Sequence, residues 1–138
     1  MNEFTFDQLK IGHTETFRRQ ISREDILIFS SLSGDTNPLH LDEDYARTTD
    51  FKKCVAFGML GSTMHSTLSG VYLPGKYSLL LKEESNFINP IYAGDTLTVT
   101  AKLTEKKEFG KLIFIDTQIS NHDNKKVIRG KLIVKLLK

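Results

Sequence analysis

The sequence predicts an α+β fold, in which one antiparallel five-stranded sheet wraps around a long central helix. Three observations lead to this prediction. The elements run in the order strand, helices, one longer helix, and then four strands. Turns between the later strands are mostly short, which favours antiparallel neighbours. The longer helix carries one apolar stripe and one row of small residues, a pattern typical of a helix that packs closely on another layer.

The first elements carry clear boundary signals. Thr14–Gln20 is predicted to be a strand. Ser22 has the character of a helix N-cap, and Asp25 follows three residues later as the partner of a capping box. Gly34 is expected to end this helix, because glycine is the usual residue just beyond a helix C-terminus. Asp42 is expected to cap a further helical turn.

The segment from Gly58 to Leu73 is predicted to form the central helix, which Pro74 and Gly75 end. Its apolar stripe, at i, i+4, i+8 and i+11, comprises Leu60, Met64, Leu68 and Val71. A second row at strict i+4 spacing comprises Gly58, Ser62, Ser66 and Gly70. Glycine disfavours a helix by about 1 kcal/mol relative to alanine. We therefore expect this small row to be enclosed, where close approach compensates that cost.

Four strands are predicted in the second half, at Tyr77–Phe87, Asp95–Glu105, Lys111–Ser120 and Val127–Leu137. Gly110 and the polar run 121–126 mark the turns between the last three. The second of these strands alternates apolar and polar residues, the period of a half-buried strand, with Leu97, Val99, Ala101 and Leu103 on one face.

Length and composition indicate an ordinary globular chain. Its 138 residues correspond to one domain over 1–138, and the formal charge of +2 is too small to favour nucleic acid as a partner. The single cysteine, Cys54, excludes a disulfide within the chain, and Met1–Lys10 lacks the apolar core of a signal peptide. Apolar runs are too short to span a membrane. We therefore expect a cytoplasmic protein with no membrane partner.

Residues 33–40, Ser-Gly-Asp-Thr-Asn-Pro-Leu-His, hold the strongest chemical signal. Pro38 excludes a helix before it and pushes Asn37 toward an extended conformation. Asp35, Asn37 and His40 are thereby presented from one constrained loop, where an assembled site is commonly found. The alternative is purely structural, with Asp35 and Asn37 supporting turns and His40 an ordinary core or surface histidine. From the residues alone the two interpretations have about equal weight.

The other histidines, His13, His65 and His122, lack ligand spacing to one another or to Cys54, so we expect no metal site. His65 is more simply explained as a structural histidine. The sequence also lacks a nucleophile elbow and a Walker loop.

The segment that contains this loop resembles the signature of a known family. The run Phe-x-x-Leu-Ser-Gly-Asp-x-Asn-Pro-Leu-His from Phe29, with Ala46 beyond it, is similar to the signature of the MaoC-like, R-specific enoyl-CoA hydratases (hydratase 2). Three further segments, 56–60, 73–75 and 89–95, resemble the start and end of that family's central helix and its turn before a strand. The resemblance implies a hot-dog fold and a cofactor-free hydratase or dehydratase of acyl thioesters.

The resemblance also implies roles for individual residues. The family's catalytic aspartate, asparagine and histidine correspond to Asp35, Asn37 and His40, and the glycine whose N–H forms its oxyanion hole corresponds to Gly58. Many relatives carry histidine before that glycine, whereas this sequence has Phe57, which would make the wall near the thioester more apolar. Asp35 and His40 would hold one water between them and share its proton transfers.

Substrate contacts are expected further along the small row, at Ser62 and Ser66, although Ser66 is also explained by packing on the sheet. The substrate's handle is either coenzyme A or an acyl carrier protein, and Lys52 and Lys53 could meet coenzyme A phosphates. The resemblance also implies a homodimer. Two rival functions stay open: a hot-dog thioesterase of the same substrates, and a non-enzymatic protein that binds acyl thioesters.

Overall fold

A computed structural model describes residues 1–138 and contains one five-stranded antiparallel sheet with the strand order β1-β3-β4-β5-β2. The strands are β1 (Thr14–Gln20), β2 (Ser78–Phe87), β3 (Thr96–Lys107), β4 (Leu112–Ser120) and β5 (Lys126–Leu136). The helices are α1 (Arg23–Ser33), α2 (Pro38–Leu41), α3 (Glu43–Thr48), α4 (Gly58–Ser62) and α5 (Met64–Thr67), with a π-helical turn at Leu68–Tyr72.

Local signals in the sequence located the first helix and its ends. The Ser22 side chain accepts a hydrogen bond from the Asp25 N–H, and the Asp25 carboxylate accepts one from the Ser22 N–H, so the predicted capping box forms. Gly34 ends α1 in the left-handed conformation, at φ 76°. The Asp42 side chain caps α3, as expected. Strand β1 has the predicted bounds, and the other strands differ from prediction by one or two residues at their ends.

The central helix, residues 58–72, differs from the predicted single α-helix. It is built from α4, α5 and the π-helical turn, with Thr63 as the junction between α4 and α5. Its small row is partly exposed rather than enclosed: Ser66 is exposed, and Gly58, Ser62 and Gly70 are half-buried. The small residue that the sheet covers is Gly61, where an added Cβ would lie 2.9 Å from Ile128 Cδ1 of β5 and 2.5 Å from Ile91 Cδ1 of the loop before β3.

The small row is partly exposed because the apolar stripe determines which side of the central helix faces the sheet. Leu60, Met64 and Leu68 are buried against the sheet. The residues one position further along, Gly61, His65 and Ser69, are carried into the core with them. The row that begins at Gly58 therefore faces away from the main core.

The concave face of the sheet carries the apolar residues that the alternation predicted. All four predicted inward residues of β3 are buried: Leu97, Val99, Ala101 and Leu103. Strands β3, β4 and β5 pair in sequence order, as their short turns predicted. Strand β2, whose pairing the sequence did not predict, pairs with β5 rather than with β3, the next strand along the chain. The eight residues between β2 and β3 are long enough to cross the end of the sheet.

Strands β1 and β2 are consequently the two edges of the sheet. The edge at β2 exposes three consecutive leucines, Leu79, Leu80 and Leu81, with exposed fractions of 48, 37 and 53 %. None of the helices has the length and apolar character required to span a membrane.

Candidate active site

The loop after α1 is held by its own polar side chains. The Asp35 carboxylate accepts a hydrogen bond from the Asn37 N–H through Oδ1 at 3.0 Å. Asn37 in turn caps α2, because its side-chain oxygen accepts from the Leu39 N–H at 3.0 Å. Asn37 has φ −55° and ψ 123°, the extended conformation that the following Pro38 imposes. The loop therefore presents His40 from a short, capped helical turn.

Helix α1 fixes the position of this loop. The Arg23 guanidinium donates to the carbonyl oxygens of His40 and Leu41, at 2.6 and 2.9 Å. At the other end of the helix, the Ser30 hydroxyl donates to the Asp35 carbonyl oxygen at 2.7 Å. Charge-assisted hydrogen bonds such as those of Arg23 are among the stronger ones in proteins. The backbone on both sides of Asn37 is thus tied to α1.

The orientation of the His40 ring is set by a backbone carbonyl. His40 Nδ1 lies 2.8 Å from the Val55 carbonyl oxygen. Since a carbonyl oxygen only accepts, Nδ1 must carry the proton of the neutral ring, and Nε2 is then unprotonated. The Phe57 ring packs on the imidazole with a centroid distance of 3.9 Å, and Phe29 packs behind Phe57 at 5.0 Å. His40 is therefore a positioned imidazole whose free nitrogen can accept a proton.

A mostly apolar cavity of about 480 Å³ lies beside His40. Eight of its twelve lining residues are hydrophobic, and the lining includes His40, Phe51, Gly58, Met59, Phe87 and the segment from Ile88 to Ile91. Gly58 is the first residue of α4, so its N–H has no carbonyl acceptor within the helix. The Phe87 ring covers Gly58 closely, because a Cβ added at Gly58 would lie 2.9 Å from Phe87 Cδ1. Such a cavity suits an apolar group with one polar centre.

Of the residues that the sequence singled out, His40 and Gly58 meet at this cavity. Asp35 and Asn37 are exposed on the adjoining loop and are not part of the cavity lining. No hydrogen bond joins Asp35 to His40; Asp35 bonds instead to its own loop. Phe57 is buried behind the imidazole rather than on the cavity wall.

Ser62 and Ser66 lie outside the cavity lining. The Ser62 hydroxyl donates to the Met59 carbonyl oxygen at 3.0 Å, whereas the Ser66 side chain is exposed. Their part in substrate contact stays a prediction. No three His, Cys, Asp or Glu side chains come together as metal ligands would.

Several parts of the site were not found from the sequence. The hydrogen bonds from His40 to the Val55 carbonyl and from Arg23 to main-chain carbonyls leave no sequence signal. Every residue has a carbonyl acceptor, so no residue type marks such a bond. The wall formed by Asn89 and Pro90 had a weak signal, since an Asn-Pro step marks a turn or loop. Pairing this turn with His40 requires contacts across about fifty residues.

A second polar cluster lies inside the fold, at His65. This side chain is fully buried, and both ring nitrogens are hydrogen-bonded, Nδ1 to Glu83 Oε1 and Nε2 to Thr117 Oγ1, each at 2.8 Å. The Ser85 hydroxyl donates to the same Glu83 oxygen. With both nitrogens occupied, and because His65 itself lines none of the cavities, it is a structural residue, in agreement with the sequence interpretation.

Comparison with known proteins gives consistent matches across the chain. The sequence model of the family described as MaoC like domain matches residues 8–125. The (R)-specific enoyl-CoA hydratase of Aeromonas caviae is 32 % identical over 128 residues, which cover 93 % of this chain and 96 % of that protein. The (R)-specific enoyl-CoA hydratase of Rhodospirillum rubrum is 40 % identical over 99 residues, 72 % of this chain and 69 % of that one.

Solved structures agree with the sequence matches. The (R)-hydratase of A. caviae involved in PHA biosynthesis superposes with a TM-score of 0.89 at 32 % identity, covering 93 % of this chain and 97 % of that one. An R-hydratase from Pseudomonas aeruginosa in its unliganded form gives a TM-score of 0.89 at 31 % identity, with coverages of 95 and 84 %. The five-stranded sheet and its helix therefore form a hot-dog fold.

Proposed function

The chain belongs to the MaoC-like domain family, and on that premise we propose that it catalyses the reversible addition of water to trans-2-enoyl thioesters, giving (R)-3-hydroxyacyl thioesters. Two relatives matched over most of their length are named as (R)-specific enoyl-CoA hydratases, and others are named as 3-hydroxyacyl dehydratases, which supports a hydro-lyase activity. The observation that carries the proposal is His40, a positioned imidazole whose Nε2 is free of bonds within the chain, on the wall of an apolar cavity.

In the proposed reaction, His40 Nε2 accepts a proton from water as the water oxygen bonds to C3 of the enoyl group. The Val55 carbonyl supports this role, because it keeps the neutral ring protonated at Nδ1 and leaves Nε2 as the acceptor. The imidazolium formed in this step would stay hydrogen-bonded to the same carbonyl. General acid–base catalysis of this kind contributes about 10²- to 10⁴-fold to a rate.

We propose Asp35 as the second member of the pair and Asn37 as the residue that holds its carboxylate. Asp35 Oδ1 accepts from the Asn37 N–H, while Oδ2 accepts no hydrogen bond within the chain and is available to a water. The pair would hold the attacking water between Oδ2 and His40 Nε2, and the proton added at C2 would come from the same pair. Because coupled groups titrate together, the two proton transfers are assigned to the pair rather than to one member.

Gly58 is proposed to stabilise the negative charge that develops on the thioester oxygen. Its N–H lacks an intrahelical acceptor, and Gly58 lines the cavity without a side chain of its own. A single donor of this kind is typically worth about 3 kcal/mol of barrier. Ser62 and Ser66 are proposed to contact the acyl chain only where it extends beyond the cavity, since neither residue lines that cavity. Phe57 would act on the reaction through the His40 ring, on which it packs.

A second copy of the chain is proposed to cover the edge at β2. The three exposed leucines of that edge are unusual for a free edge strand. Proteins normally place charged side chains on such an edge or cover it with another element. Met59 and Phe87, 66 and 55 % exposed, carry the same apolar surface to the cavity. A homodimer through β2 would therefore also close the site. Light scattering should give a mass twice that of the 15.7 kDa chain; a monomer at micromolar concentration contradicts this part of the proposal.

The activity is tested with crotonyl-CoA while enone absorbance and free thiol are followed together. Hydration predicts loss of enone absorbance without thiol release, and chiral analysis should give the R product. Thiol release without hydration would instead identify a thioesterase. Asp35→Asn and His40→Ala should each lower kcat by about 10²-fold or more. Asp116→Asn, an exposed aspartate on the outer face of β4, is the matched control and should leave kcat unchanged.

Crystals of the protein with a non-hydrolysable enoyl thioester analogue would test the geometry directly. The proposal requires C3 to face His40 Nε2 and the thioester oxygen to face the Gly58 N–H. An acyl group bound elsewhere, or full activity in either the Asp35 or the His40 variant, would refute the assignment.

A further inference from the structure

A polar cleft lies on the other side of the segment that walls the apolar cavity. It has a volume of about 440 Å³, and it shares Asn89 and Pro90 with the lining of the cavity. We infer that this cleft binds the phosphate of the handle that carries the acyl group, so that one substrate spans both spaces across Asn89–Pro90. The inference rests on the proposed function and extends it to the recognition of the handle.

Lysine charge is concentrated around this cleft. Lys53 and Lys125 line it, and each is adjacent in sequence to another exposed lysine, Lys52 and Lys126. None of the four has a carboxylate oxygen within 4.0 Å. In contrast, Lys76 lies 3.1 Å from a Glu3 carboxylate oxygen. The cleft therefore holds cationic groups that no residue of the chain neutralises by direct contact.

The acidic residues of the cleft are associated with its histidine. His122 lies 3.6 Å from an oxygen of Asp95 and 3.7 Å from an oxygen of Asp123. The second oxygen of Asp95 accepts a hydrogen bond from the Tyr92 N–H at 3.0 Å, and its side chain is almost fully buried. Both acids thus contact His122 rather than a lysine, and the lysine ammonium groups stay available to an anion.

The lysines are held in relation to the wall that the two spaces share. Lys53 Nζ lies 4.0 Å above the centre of the Tyr92 ring, a cation–π contact that restricts a long side chain. The Asn89 side-chain N–H donates to the Lys126 carbonyl oxygen at 2.7 Å, which ties the second lysine pair to the wall. This bond leaves the Asn89 side-chain oxygen as an acceptor at the boundary of the two spaces.

This arrangement matches the chemistry of a pantetheine thioester. Such a substrate has an apolar acyl end, an arm that contains amide N–H groups, and phosphate at the far end. The apolar cavity accepts the first part, the Asn89 oxygen can accept a hydrogen bond from the arm, and Lys53 and Lys125 are available to the phosphate. Coenzyme A and a carrier protein's phosphopantetheine share this chemistry.

The first test is direct binding, which does not depend on turnover. Calorimetric titration with coenzyme A compares the wild type, Lys53→Gln/Lys125→Gln, and the control Lys102→Gln/Lys135→Gln, which removes the same charge from exposed sheet positions. Exposed charge pairs are individually weak, so loss of two should raise Kd by about 5- to 20-fold. The increase should shrink at high salt, which screens exposed charges. Equal Kd values for the two double variants would overturn the inference.

Turnover then distinguishes the inference from the proposed function. The cleft variant should raise KM for crotonyl-CoA with kcat unchanged, and should leave crotonyl-N-acetylcysteamine, which lacks phosphate, unaffected. An equal loss with both substrates would overturn the cleft assignment. A wild type that hydrates neither substrate would refute the proposed activity, and the binding result would still decide the cleft.

Titration with 4′-phosphopantetheine identifies the phosphate. Weaker binding by the cleft variant places the pantetheine phosphate in the cleft, whereas an effect confined to coenzyme A places the nucleotide phosphates there. Each result supports a phosphate site at Lys53 and Lys125.

Discussion

Replacement of Gly58 by alanine separates the contribution of this residue to folding from its contribution to catalysis. A Cβ at this position would lie 2.9 and 3.0 Å from two carbons of the Phe87 ring, whereas ordinary contacts begin near 3.4 Å. The ring must therefore retreat by about half an ångström. Phe87 is 55 % exposed, so it can move without displacing the core.

The expected change in stability is small because two effects oppose each other. Mild overpacking against a mobile ring costs about 1 kcal/mol, the low end of the usual range. Alanine instead of glycine in a helix returns up to about 1 kcal/mol. The free energy of unfolding should therefore change by less than about 1 kcal/mol, which corresponds to a Tm shift of no more than about 4 °C for a chain of this size.

The expected change in activity is large. The new methyl group would stand beside the N–H that is proposed to receive the developing oxyanion, and would keep the thioester oxygen away from it. Loss of one such donor lowers kcat by about 10²- to 10³-fold. Crotonyl-CoA hydration, followed by loss of enone absorbance, measures kcat, and thermal unfolding of the same preparation measures Tm.

Gly70→Ala is the matched control, because it lies in the same central helix and a Cβ there would meet no atom within 4 Å. It should leave kcat unchanged and Tm equal or slightly higher. Gly58→Ala/Phe87→Leu should relieve the contact with the ring without restoring the open N–H, so kcat should stay low. A Gly58→Ala variant that keeps kcat within about threefold would refute the oxyanion role, since loss of the donor requires a far larger decrease.

Three further outcomes follow from the structure. Gly130→Ala should destabilise the protein by about 1–3 kcal/mol in urea unfolding, because a Cβ there would lie 2.6 Å from both the Glu84 carbonyl oxygen and His65 Cε1; an unchanged midpoint would mean that β5 can shift. Hydrogen bonding from the Ser22 backbone N–H, with Arg19 also contributing, holds the pKa of Asp25 below its usual range. The stabilisation by Asp25 is therefore present above the carboxyl's unfolded pKa and is lost as the pH falls through the lower folded pKa. Asp25→Ala should cost about 0.5–2 kcal/mol at neutral pH and progressively less in acid; a difference independent of pH would contradict the capping assignment. Burial, followed by hydrogen bonding to Glu43, raises the pKa of the Cys54 thiol, so alkylation of the native protein should be slow at neutral pH and fast in urea; fast labelling without denaturant would show that the segment opens.

The sequence located most of the secondary structure because the determining contacts are local. The capping box of α1 joins residues three apart, and the end of α1 at Gly34 depends on the conformational freedom of one glycine. Alternation along β3 similarly identified its buried face before any partner strand was known. Local pattern also singled out Asp35, Asn37 and His40 on one constrained loop, but it left a structural interpretation equally open. Their roles, and the choice of Gly58, came from the family resemblance.

Only the tertiary structure decided which elements meet. It paired β2 with β5, turned the row from Gly58 away from the core, and brought the Val55 carbonyl to the His40 ring. It also placed His40 and Gly58 on one cavity and left Asp35 on the adjoining loop. These outcomes depend on contacts between distant residues and on main-chain groups that every residue possesses. Such contacts are selected by the packing of the whole core, and local sequence patterns carry no record of them.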